Sequence, residues 1–175
     1  MLGKIRDILG LTSVPIDQIR TEKKKIKWDH FFLLEALAWA QRSHDPQTQC
    51  GCVLVKDKRM ISTGYNGFIA GIGDDDLPNM RPYKYPWMIH SEANAIYNCA
   101  REGTSTKGAT AYVTSKPCNG CRQALWQAGV EIVIYSDMNT AKMIQTDESE
   151  QIDAVLNILT SDRMTMVFIP SKYFL

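Results

Sequence analysis

Between His90 and Cys121 the chain carries HSEANAIYNCA at one end and PCNGC at the other. His90, Cys118 and Cys121 offer one imidazole and two thiols. These are good zinc ligands, and three of them leave the fourth tetrahedral position to water. A structural zinc would normally have that position closed by a further protein ligand. On a helix, Cys118 and Cys121 share a face because they are three residues apart. Pro117 is a residue type that opens helices, and a helix N-terminus favours thiolate over thiol. His90 likewise precedes a helix-like run, Ala93 to Glu102. His90 and Glu92 point to different sides of an ideal helix, which directs Glu92 to the water rather than to the metal. Strand-like sequence flanks both helix starts. The ion is therefore expected between two helix ends at one edge of a sheet.

The rest of the chain accommodates such a site. Its 175 residues suit one domain with a substantial core. Charged residues make up 22% and the formal net charge is +1, which argues against a large basic face for wrapping nucleic acid. No apolar run is long enough to span a bilayer. The first residues, MLGKIRDILGLTSVP, mix charge into their apolar positions and lack a secretory core, so a cytoplasmic protein is expected. Five cysteines are an odd number, two already claimed by the metal motif, and disulfides are not expected.

Residues 1–27 read as an N-terminal extension and 28–175 as the main domain. Ile5, Ile8 and Leu9 line one helical face, and the run Lys23, Lys24, Lys25, Ile26, Lys27 reads as a solvated lead-in rather than a phosphate site. Trp28 to Ser43 is the clearest helix, with Phe31, Leu34, Leu37 and Ala38 at helical spacing and Trp28 and Phe32 widening the stripe. His30 and His44 read as surface histidines. Cys50 to Lys56 and Met60 to Gly64 read as a hairpin around a polar turn, with Cys50 and Cys52 as small buried hydrophobes. Tyr65 to Met88 is a long loop whose aromatics, Tyr83, Tyr85 and Trp87 among them, argue against disorder. Helices and strands then alternate: His90 to Glu102, Ala109 to Ser115, Cys118 to Ala128, Val130 to Ser136, Glu148 to Thr160 and Met164 to Ile169. Such alternation means an α/β fold with parallel strands and crossover helices.

The His-x-Glu and Pro-Cys-x-x-Cys pair resembles the zinc-dependent nucleobase deaminases. GYNGF at Gly64 to Phe68, DDDLP at Asp74 to Pro78, HSEANAI, KPCNGC and VIYSD narrow the resemblance to the deoxycytidylate (dCMP) deaminases, from about Trp28 to Tyr173. That resemblance implies a three-layer αβα sandwich around a five-stranded mixed sheet. It implies hydrolytic deamination of dCMP to dUMP and ammonia, with Zn2+ activating water and Glu92 shuttling protons. Base recognition is expected from the Ser91 N–H and the carbonyl region of Ser115 and Lys116. Tyr112 reads as a strand-core residue at least as readily as a base contact. Where related enzymes place a substrate-reaching Tyr, this chain has Asn139, and Arg122 reads as solvated rather than as a phosphate ligand.

The family's GYNG loop implies an allosteric site at Gly64, Tyr65, Asn66 and Gly67, activated by dCTP and inhibited by dTTP. Asp74, Asp75 and Asp76 suit Mg2+ escorting a triphosphate, although a solvated acidic loop is the favoured reading of the triplet. A homohexamer is implied as well. Two other readings stand beside this one: a deaminase of tRNA or single-stranded DNA, which the near-neutral charge disfavours, and a catalytically idle nucleotide-binding protein, which has no need of Glu92.

Overall fold

A computed structural model describes Pro15 and residues 25–73, 75–138 and 147–175. The expectations for Ile5, Ile8, Leu9, Lys23, Lys24, Asp74 and Asn139 lie outside these residues. Five strands form one sheet: β1 (Gly51–Lys56), β2 (Arg59–Tyr65), β3 (Thr110–Val113), β4 (Ile132–Tyr135) and β5 (Thr165–Phe168), in the order β2-β1-β3-β4-β5. β1 runs antiparallel to both β2 and β3, whereas β3, β4 and β5 are parallel. The sheet is mixed, as the alternation and the hairpin require. The hairpin closes through Asp57 and Lys58, both with positive φ, which matches the twist of the two strands.

Side chains alternate across the sheet and divide the core in two. Cys52, Leu54, Ala111, Val113 and Val133 face one side, where they meet Ala95 and Cys99 of α2 (Ser91–Glu102) and Leu125 of α3 (Asn119–Gln127). Val53, Val55, Tyr112 and Ile134 face the other and pack against Phe32, Leu33 and Ala36 of α1 (Trp28–Ala40). α4 (Asp147–Thr160) lies outside α3. This is the expected three-layer sandwich, with helices on both faces of the sheet.

Three local readings need correction. The buried face of α1 is Phe32, Leu33, Ala36 and Ala40, rotated from the stripe that the spacing suggests. Trp28 is 51% exposed, stacked on Phe32 from outside. The helix is apolar almost all round, so periodicity alone does not select its inner face. In the long loop, Tyr83, Tyr85 and Trp87 are exposed and do not hold it against the body. Polar contacts do: Arg81 bonds Gln47 and Thr48, and Lys84 forms a fully buried ion pair with Asp45.

Arg122 is neither solvated nor free for phosphate. It is 2% exposed, and its guanidinium donates to the Asp153 carboxylate at 3.1 Å and to the Thr160 hydroxyl at 2.9 Å. Asp153 also pairs with Lys116. One carboxylate of α4 thus ties down both the residue after Cys121 and the loop before Cys118. Asp153→Ala should lower stability by about 3 kcal/mol, because it leaves the Arg122 charge buried and unpaired. Urea unfolding of the variant checks this, and an unchanged midpoint counts against the ion pair as the anchor of α4.

Candidate metal centre

Both segments of the metal motif end at a helix start. His90 is the residue that caps α2, with extended backbone at φ −71° and ψ 154°. Cys118 caps α3 in the same way, at φ −66° and ψ 164°, and its sulfur accepts the Cys121 N–H at 3.4 Å. Pro117 therefore precedes the cap rather than forming the first helical residue, and Cys118 stands outside the helix rather than on one of its faces. Cys121 projects from the first turn. The two N-terminal ends of α2 and α3 converge here, and their partial positive charge favours thiolate.

The three ligand atoms lie within 4.8 Å of one another. His90 Nδ1 is 3.4 Å from the sulfur of Cys118 and 3.4 Å from that of Cys121. Tetrahedral zinc with ordinary Zn–S and Zn–N bonds sets sulfur and nitrogen about 3.6 Å apart. The residues therefore fit the ion in type, number and spacing. Among the described residues no fourth His, Cys or carboxylate joins the group. His90 is exposed and Cys118 half-buried, so the cluster opens to solvent on one side.

Protonation in the free cluster follows from this crowding. The Cys121 thiol, the His90 ring and a backbone N–H hold Cys118 down to about 4. Cys121 keeps the proton that the two sulfurs share and is pushed up, with burial and the Glu92 charge adding to the effect. Its hydrogen bond to Cys118 raises His90 against the opposing effect of burial.

Glu92 is 5% exposed, one of the few buried carboxylates. Burial raises its pKa, while its own backbone N–H, the His90 ring and Ser91 act to lower it. Ser91 donates its hydroxyl to Glu92 at 2.9 Å. Ser115 and Lys116 follow β3 and lead directly to Cys118. Ser115 Oγ lies 3.7 Å from the Cys50 sulfur, and the Lys116 ammonium is engaged by Asp153. Tyr112 is on the opposite face of the sheet, where it packs on Phe32 and donates to Asp29 at 2.9 Å. It is a core residue, and its phenol is pushed up by burial and by Asp29.

The GYNG segment is built into this centre. Gly64, the next-to-last residue of β2, lies against the start of α2, where a Cβ would stand 2.2 Å from the Ser91 carbonyl oxygen. A Cβ on Gly67 would stand 2.4 Å from His44 Nδ1. Gly67 exchanges two backbone hydrogen bonds with Ile89, at 3.0 and 2.8 Å, one residue before His90. Asn94 of α2 donates to the Tyr65 carbonyl at 2.7 Å. His44 is more than a surface histidine: its Nδ1 accepts the Phe68 N–H at 3.0 Å and its ring stacks on Phe68.

Asn66 is 7% exposed and its amide is occupied within the fold. Its oxygen accepts from the Cys50 N–H and the Ser43 hydroxyl, and its nitrogen donates to the Thr48 carbonyl. Asp45, which the sequence reading passed over, accepts the Gln47 and Thr48 N–H groups as well as Lys84. The only local signal for it was an Asp before Pro46, a turn-forming pair.

The fold and this geometry have counterparts among known proteins. Residues 26–137 match the family model described as the cytidine and deoxycytidylate deaminase zinc-binding region. A deoxycytidylate deaminase of Homo sapiens is 38% identical over 117 residues, covering 63% of this chain and 65% of that protein. The chain thus matches just under two thirds of the length of that relative. A deoxycytidylate deaminase of Mycobacterium phage D29 is 39% identical over 121 residues, 62% of this chain and 93% of that protein. A dCMP deaminase from the cyanophage S-TIM5, solved with dCMP and dUMP, superposes with a TM-score of 0.62. It is 20% identical and covers 84% of this chain and 100% of that one, a likeness of fold.

Cys121→Ser should abolish near-stoichiometric zinc binding while leaving the sheet folded, since the sulfur is one of the three candidate ligand atoms and the strands pack without it. Metal analysis together with circular dichroism checks this, and full zinc content in the variant excludes Cys121 as a ligand. The match over residues 26–137 covers both the His90 and the Cys118–Cys121 segments, and the chain belongs to the family of cytidine and deoxycytidylate deaminases that carry this zinc-binding region.

Proposed function

We propose that the chain hydrolyses dCMP to dUMP and ammonia, with residues 28–175 as the catalytic unit. The observation that carries this reading is Glu92, a buried carboxylate beside a His-Cys-Cys cluster open on one side. Family membership and the relatives named deoxycytidylate deaminase support the choice of substrate.

When bound, zinc supplies water acidified towards neutral pH. Glu92 takes a proton from the attacking water and passes it to ring N3 as oxygen bonds to C4. It then takes the proton of the new C4 hydroxyl and delivers it to the exocyclic amine, and the C4–N bond breaks with release of ammonia as the C4 carbonyl forms. One carboxylate serves both steps because it alternates between base and acid. The Ser91 N–H and the backbone carbonyls of Ser115 and Lys116 orient the base. Their place beside the two helix caps supports that assignment.

Glu92→Gln should retain zinc and lower kcat on dCMP by about 10²–10⁴-fold. Ammonia release and metal content measured on one preparation check this, and near-normal turnover removes Glu92 from the mechanism.

The proposal extends to regulation at Gly64, Tyr65, Asn66 and Gly67, with dCTP activating and dTTP inhibiting, and to a homohexamer. The resemblance of the GYNG segment and the acidic loop supports it. The Asn66 amide is engaged internally, so contact with an effector falls to the Tyr65 ring and to backbone groups. Asp75 and Asp76 are exposed and suit Mg2+ accompanying the triphosphate. dCTP should shift the dCMP saturation curve to lower substrate concentration, with dTTP opposing it. Superimposable hyperbolic curves with and without effector dispose of the regulatory part.

A further inference from the structure

The Ser91 side chain has a role distinct from that of its backbone. Its position between His90 and Glu92 invites only the N–H reading, since side chains one apart on a helix do not face each other. Ser91 is nevertheless the first residue of α2, 0% exposed, and its hydroxyl donates to Glu92 Oε2 at 2.9 Å. Close packing of β2 shuts this corner: the Ser91 carbonyl lies where a Cβ on Gly64 would need to be.

We infer that Ser91 is a positioning residue, whose buried hydroxyl fixes one carboxylate oxygen of Glu92 and leaves the other to move protons. The inference rests on the deaminase reading above. A Glu side chain has three rotatable bonds, and a buried hydroxyl resists losing its acceptor. The bond therefore holds the carboxylate in one orientation through both proton transfers. Catalysis by a positioned group depends on such orientation as well as on the group's presence.

The test is steady-state kinetics on the zinc-loaded full chain with dCMP, comparing the wild type with Ser91→Ala and Ser91→Cys. Ser91→Ala removes one oxygen and should lower kcat about tenfold, the effect of losing one charge-assisted hydrogen bond on an otherwise intact site. KM, zinc content and the thermal midpoint should stay near wild type, which separates positioning from a loss of packing. Ser91→Cys, close in size with a weaker donor, should fall between the two and stands in for Ser91→Ala should that variant fail to fold. A wild-type kcat in either soluble variant overturns the inference, as does a loss confined to KM. Absence of ammonia release by the wild-type chain overturns the deaminase reading and this inference with it. Activity in the wild type with an unaffected Ser91→Ala overturns this inference alone.

Discussion

The structure turns on the meeting of two helix caps. His90 and Cys118 each occupy the last extended position before a helix, and Cys121 adds the first turn of the second. This arrangement gathers a nitrogen and two sulfurs at a spacing that suits tetrahedral zinc, and it aims two helix dipoles at the site. The parallel pair β3 and β4 sets where α3 begins, and close approach of β2 sets where α2 begins. A ligand set drawn from two segments far apart in sequence needs both constraints at once.

Glu92 depends on the same construction. A carboxylate deprived of water is costly unless hydrogen-bonded or neutralised. Here the backbone at the helix start, the Ser91 hydroxyl and the neighbouring imidazole offset part of that cost. The charged ligands and the carboxylate form one electrostatic unit. Side chains farther out tie the surrounding segments together: the Arg122–Asp153–Lys116 cluster on the α4 side, and Asp45–Lys84 on the side of the long loop.

Much of this was legible in the residues, and unevenly so. The unbroken apolar run of β1 and the helix–strand rhythm after His90 located the elements, because burial on both faces of a sheet leaves a continuous apolar stretch and parallel strands need crossover helices between them. The candidate ligands stood out because few residue types bind zinc. The inner face of α1 was not, because that helix is apolar nearly all round. Arg122 was misread because a charge written beside a metal motif does not reveal an aspartate thirty-one residues away. The Asp45–Lys84 pair was silent for the same reason, being thirty-nine residues apart in sequence and in contact only after folding. The bond from the Ser91 hydroxyl to Glu92 escaped notice because the spacing rules for an ideal helix do not describe its first residue, where the backbone has only begun to turn.

The paired hydrogen bonds between Gly67 and Ile89 couple two regions that a motif list keeps separate. The backbone of Ile89 is covalently continuous with the imidazole-bearing residue, and the opposite strand of the bridge belongs to the GYNG turn. The two bonds tie the backbone just ahead of the His90 ring to the segment that carries Gly67. The placement of His90 and that of the GYNG segment therefore rest on the same pair of backbone bonds.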